Sequence, residues 1–173
     1  MKRSSVISVR VSDDVKEKLE VESELNAISL NTMIGQILTK HVEWDRFAED
    51  IGVVVITRPF FRAVIEEVDD KTLTTIAVTT CRSAIRDAML FITGKSDLPS
   101  FLKVLDLWLG ASNIPFRHIV ENHQDKYIVQ HDLGNKWTIY FTSVTGTLLN
   151  ELGYRMDKQV TTEQTITFEI VKA

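Results

Sequence analysis

The chain is predicted to be an α+β protein, and three features of its 173 residues carry that prediction. Apolar side chains recur at helical spacing over most of residues 13 to 111. From residue 115 onward the pattern switches to period two, interrupted by one helical stretch between Asn135 and Leu152. A short alternating segment, Val6-Ile7-Ser8-Val9-Arg10-Val11, stands alone ahead of all this. The expected order is β-α-α, then an α/β module of three helices and two antiparallel hairpins split by a helix. Residues 1–50 are expected to form the first unit and residues 51–173 the second.

In the opening segment one face carries Ile7, Val9 and Val11, and the other carries Val6, Ser8 and Arg10. Ser12-Asp13-Asp14 supplies an N-cap and first-turn acids for a helix. Its stripe is Val15, Leu19, Val21 and Leu25, and it should end near Asn26-Ala27. Ser29 caps a second helix, in which Leu30, Met33, Ile34, Ile37, Leu38, His41 and Val42 recur, with Trp44 to Ala48 as its tail.

Past Asp50-Ile51-Gly52, the run Val53-Val54-Val55-Ile56 reads as a short strand or buried connector. Pro59 suits the first turn of a helix from Arg58 to about Val68. Asp69-Asp70 opens a longer helix with Leu73, Ile76, Ala77, Cys81, Ala84, Ile85, Ala88 and Ile92 inward, closed by Gly94. Asp97-Leu98-Pro99 opens another, with Phe101, Leu102, Leu105, Trp108 and Leu109 on the core side. Residues 115–121 and 126–132 form the first hairpin; Tyr154–Val160 and Gln164–Val171 form the second, with Ile166, Phe168 and Ile170 apolar. Between them Trp137, Phe141, Val144, Leu148 and Leu152 line a helix that ends at Gly153.

Composition narrows the function. A net charge of −4 and a pI near 5.6 argue against a broad nucleic-acid coat. The distribution is uneven: Lys2, Arg3 and Arg10 precede any acid, whereas residues 11 to 50 carry 4 basic and 10 acidic side chains. Any DNA contact is therefore concentrated at the N-terminus and at helix ends. A single cysteine, Cys81, excludes an internal disulfide framework and a cysteine-rich zinc module, and its place on an apolar stripe reads as an inert buried thiol. No apolar run reaches membrane-span length, and the first residues lack the apolar core of a signal peptide, so the expected location is cytoplasmic. A phosphate-cradling glycine loop, a nucleophile elbow and an HExxH motif are all missing, so no enzyme is expected and no cofactor is implied.

A lone strand before two helices leaves unpaired edges that a second copy of the chain would satisfy. Ile7-Ser8-Val9-Arg10-Val11-Ser12, then Val15 and Leu19, then Ile28-Ser29, resemble the ribbon-helix-helix repressors of the Arc and methionine-repressor class over residues 6–48. The resemblance implies an intertwined homodimer, or a higher even-numbered oligomer, acting as a transcriptional regulator on double-stranded DNA. Its paired ribbon would lie in the major groove of a palindromic operator. Val6, Ser8 and Arg10 would then face the bases, with Arg10 the long donor suited to guanine. Ser29, Leu30 and Asn31 would hold a phosphate, and Lys2 and Arg3 would form a basic arm. Two positions depart from the pattern: Glu22 stands where relatives bury an apolar side chain, and Asn26-Ala27 replaces a frequent glycine. The alternative is a dimeric ligand-binding or protein-interaction protein that does not bind DNA.

The second module reads as an oligomerisation or effector-sensing domain, weakly similar in topology to vinyl-reductase-like and heme-NO-binding-like domains. A metal-responsive regulator is a third reading. If the first hairpin turned on Gln124-Asp125, His118 and His131 would be cross-strand partners about 5 Å apart, with His123 or Asp132 completing a metal site. The bland reading makes all three ordinary strand or turn histidines. In His131-Asp132-Leu133-Gly134, Asp132 can cap the following helix and Gly134 suits positive φ. A helix N-terminus there could also receive an anion.

Overall fold

The computed structural model describes residues 5–121 and 124–173 of the chain, and in its helices and strands the side chain of Cys81 alone is left undescribed. Contacts divide it into two units, Met1–Asp45 and Arg46–Ala173.

In the first unit, α1 spans Asp13–Leu25 and α2 spans Leu30–Lys40, prolonged by a π-helical turn at His41–Asp45. Ser12 is the N-cap of α1 in extended backbone, and Asp13 and Asp14 sit in its first turn, where carboxylates oppose the helix dipole favourably. The helix ends in a complete Schellman motif: the Ile28 N–H donates to Ser23 O and the Ala27 N–H to Glu24 O. That motif forces Ala27 to φ 53°, the left-handed backbone that a glycine would adopt without strain. Ser29 caps α2, its Oγ accepting from the Thr32 N–H at 3.1 Å. Residues 5–12 make no strand pairing within the single chain.

The second unit opens with α3 (Arg46–Ala48), then a connector. Val53 to Ile56 form neither a strand nor a buried segment; they are coil, with Val54 and Val55 78% and 95% exposed. With neither a hydrogen-bonding strand beside it nor an apolar surface above it, β-propensity alone leaves the run in solvent. Next, α4 (Arg58–Glu66) begins at Thr57 with proline in its first turn. Helices α5 (Asp70–Ile76) and α6 (Arg82–Thr93) flank a π-helical turn at Ala77–Cys81. The wider turn rotates the apolar stripe, so Leu73, Ala77, Ala88 and Met89 are buried while Ile76 and Ala84 are exposed, contrary to a uniform helical count. Asp69 caps α5, and Asp97 caps α7 (Leu98–Ala111) by accepting from the Ser100 N–H at 3.0 Å.

The hairpins are β1 (Phe116–Glu121) with β2 (Gln124–Gln130), and β3 (Tyr154–Thr161) with β4 (Thr165–Lys172), and α8 (Gly134–Glu151) separates them. Antiparallel pairing of β2 with β4 joins them into one sheet in the order β1-β2-β4-β3. Tyr127, Val129, Ile166, Phe168 and Ile170 line its buried face and share one core with Phe101, Leu105 and Leu109 of α7 and Trp137, Phe141 and Leu148 of α8. Among the described residues no helix is long and apolar enough to cross a membrane.

The corner before α8 differs from the simple cap. Asp132 does not cap the helix; Leu133 occupies that position, and Asp132 instead accepts from Arg58 at 3.0 Å while its carbonyl accepts from Arg62. Arg58 also donates to the carbonyls of Ser112 and Asn113. Gly134 takes φ 80°, and a Cβ on it would lie 2.8 Å from Glu66 Oε1. The chain's own carboxylate therefore already stands at this helix N-terminus, the place an external anion could have taken. Two glycine exchanges should act in opposite directions in equilibrium urea unfolding of the full chain. Ala27→Gly should stabilise by about 1 kcal/mol, and Gly134→Ala should destabilise by about 1–2 kcal/mol, because each changes the cost of one left-handed residue.

Candidate nucleic-acid interface

Val6, Ser8 and Arg10 are all exposed on the extended segment, Val6 by 96%. Among the described residues, no hydrogen bond joins residues 5–11 to either helix. Lys2 and Arg3 lie outside the described residues. Leu30 and Asn31 are the first two residues of α2, so their N–H groups have no intrahelical acceptor, while Ser29 Oγ takes the Thr32 N–H and contacts Thr32 Oγ1 at 2.8 Å. A phosphate at this end would meet two free amides and the positive end of the α2 dipole.

The described lysines of this unit are committed elsewhere. Lys16 pairs with Glu20 at 3.2 Å, Lys18 with Asp14 at 3.8 Å, and Lys40 with Asp45 at 3.7 Å. Arg10 is the one Lys or Arg among the described residues of the unit with no acidic partner. It thus retains a fully available five-donor fork, the chemistry that reads a guanine edge.

Helical periodicity in this unit outruns its burial. Among its described residues only Ser23, Met33 and Trp44 are buried, whereas Val15, Val21, Leu25, Ile37, Leu38 and Val42 are 40–82% exposed. The stripe read for α1 therefore faces solvent in the single chain, and Glu22 is exposed with it.

In the other unit the histidine pairing is overturned. The register places His118 opposite Tyr127 and Glu121 opposite Gln124, so Gln124 and Asp125 are strand residues of β2 and not the turn. The displacement is even, which keeps every side chain on its face and changes only its cross-strand partner. His131 lies beyond the end of β2, with its N–H donating to Gln164 O. His123 lies outside the described residues. No group of three or more His, Cys, Asp or Glu side chains able to hold a metal ion is present among the described residues.

His118 instead joins a polar cluster that the sequence reading missed. Its Nδ1 is 3.0 Å from Asp106 Oδ2, and its Nε2 is 2.7 Å from Asp125 Oδ1. Tyr127, fully buried, donates to Asp106 Oδ1 at 2.7 Å and stacks on the imidazole at 4.4 Å. Burial and the neighbouring carboxylates push the Tyr127 hydroxyl pKa well up, so it stays a donor. A register with Glu121 opposite Gln124 would have aligned His118 with Tyr127; Asp106, between Leu105 and Leu107 on an apolar helix, was the other available signal.

No family model matches the chain, and neither a curated protein nor a solved structure does.

His131 is 3% exposed, its Nε2 lies 3.2 Å from Thr138 Oγ1, and its Nδ1 has no partner. Burial holds its pKa below the ordinary 6.5. A neutral buried histidine contributes stability above that ordinary pKa, and the contribution is lost as pH falls, because the unfolded chain takes up the proton first. The Cε1–H resonance of His131 should therefore titrate below 6.5 in a proton NMR pH series. A midpoint at or above 6.5 would show that the ring is open to water.

Proposed function

We propose that the chain is a homodimeric DNA-binding transcriptional regulator whose N-terminal segments pair across a twofold axis and lie in the major groove of a palindromic operator. The observation that carries this reading is the apolar surface of the first unit. Ile7, Val9 and Val11 are 71%, 67% and 53% exposed, and Val15, Val21, Leu25, Ile37, Leu38 and Val42 of the unit's helices are 40–82% exposed. So small a unit with so few buried side chains does not hold itself together in water. A second copy supplies what is lacking: an antiparallel partner for the segment, and apolar helix faces to cover Ile7, Val9 and Val11. The opposite face then presents Val6, Ser8 and Arg10 outward from both copies, and Ser29, Leu30 and Asn31 flank the ribbon as phosphate contacts.

The second unit has its own core and would serve as the oligomerisation or effector domain. An effector would find a cavity of about 480 Å³ lined by Arg86, Met89, Ser96, Leu148, Glu151 and Leu152.

A dimer that does not bind DNA is the second reading, favoured by the 10 acids against 4 bases in residues 11 to 50, which weaken attraction to phosphate. Fluorescence anisotropy on a mixed-sequence duplex pool at two salt concentrations separates the two. Wild-type protein should bind in a salt-sensitive manner, and Arg10→Ala should weaken binding to the selected sequence roughly 5- to 150-fold, equivalent to about 1–3 kcal/mol, with the dimer intact by sedimentation. A sedimenting dimer with no affinity at low salt would leave the first unit as a dimerisation device; a monomer would sink both readings.

A further inference from the structure

Asp106 reaches the His118 ring from α7, Asp125 reaches it from β2, and the ring itself stands on β1. Three consecutive elements thus meet at one imidazole. The charged or titratable groups facing it are Asp106, Asp125 and Tyr127; β4 contributes only Phe168 and Ile170, the cross-strand neighbours of Tyr127 and Asp125. No lysine or arginine pairs with either carboxylate among the described residues.

A neutral imidazole has one N–H and one lone pair. Here both ring nitrogens face carboxylate oxygens, so the neutral ring satisfies one acid and turns a lone pair against the other. The imidazolium donates to both. It also sits over the face of Tyr127, where a cation is favoured and a neutral ring gains less. When the proton leaves, Asp106 and Asp125 remain as two carboxylates beside a neutral ring, with no cation between them. The side chains of His118 and Asp125 are 18% and 19% exposed, so solvent protons reach the cluster without unfolding.

We propose that His118 is a proton-operated latch: charged, it locks α7 against the β1–β2 hairpin, and neutral, it releases that tie. The latch belongs to the second unit and does not depend on whether the first unit reads DNA.

Desolvation lowers the His118 pKa, but the Asp125 and Asp106 hydrogen bonds and charges outweigh it, and the pKa lies above the ordinary 6.5. A base with a raised folded pKa contributes stability that is complete below 6.5 and is lost as pH rises through the raised value. The latch therefore opens as pH rises above 6.5.

The test uses the full chain. In a proton NMR pH series, the His118 Cε1–H should titrate with a midpoint above 6.5, and Asp125→Asn should move that midpoint down. In parallel, the melting temperature of wild type should fall between about pH 6.5 and pH 9, on the order of a few degrees, beyond the change seen in His118→Gln over the same range. A wild-type midpoint at or below 6.5 overturns the proposal, as do identical melting profiles for wild type and His118→Gln. Should His118→Gln fail to fold, the wild-type midpoint and its response to Asp125→Asn decide by themselves.

Discussion

The second unit depends on a column of aromatic rings that ties α8 to the sheet and runs on through it. Trp137 stacks on Phe141 at 5.0 Å, Phe141 meets Phe168 at 6.1 Å, Phe168 stacks on Tyr127 at 5.3 Å, and Tyr127 stacks on His118 at 4.4 Å. Trp108 of α7 joins at the helical end, 6.3 Å from Trp137. Each ring buries a large apolar area, and offset stacking adds to it, so a slip of either hairpin would dismantle several contacts together. The column therefore selects the register of β1 with β2 and the pairing of β2 with β4. It also has a polar outer end, where the hydroxyl of Tyr127 and the ring of His118 require acceptors, and Asp106 and Asp125 supply them.

The first unit presents the opposite physical situation. Its caps and its Schellman turn are well formed, yet apart from Met33 and Trp44 its apolar side chains stay partly or largely exposed within one chain. Local hydrogen bonding alone sustains such short helices poorly, and most helical stability comes from burying one face. The proposed dimer is a direct consequence of this imbalance: the same residues that are a liability in one chain become a core in two. Arg10, left without an acid among the described residues while Lys16, Lys18 and Lys40 each have one, is what would distinguish the proposed DNA-reading dimer from a simple clasp.

These two situations divide what was legible. The caps at Ser29, Asp69 and Asp97 were readable because each is a local hydrogen bond between a side chain and an N–H three residues on. Gly134 and Gly153 were readable as positive-φ positions because only glycine takes that backbone freely, and their φ values are 80° and 82°. The exposed Val53–Ile56 run was misread because β-propensity describes fitness for a sheet and does not supply one. The α5–α6 stripe was misread because a π turn breaks the helical count without leaving a residue type that announces it.

By itself the sequence determined the α+β class, the order of helices and hairpins from Arg58 onward, the caps at Ser29, Asp69 and Asp97 and the apolar face of β4, all of which follow from interactions a few residues apart. The tertiary structure alone decided which strand residues stand opposite each other, that β2 pairs with β4, and that His118 meets two aspartates instead of His131. The reason is range. Alternation fixes which way a strand residue points, but a shift by an even number of residues leaves that direction unchanged, and only packing across the whole core, from Trp137 to Tyr127, distinguishes one even register from the next.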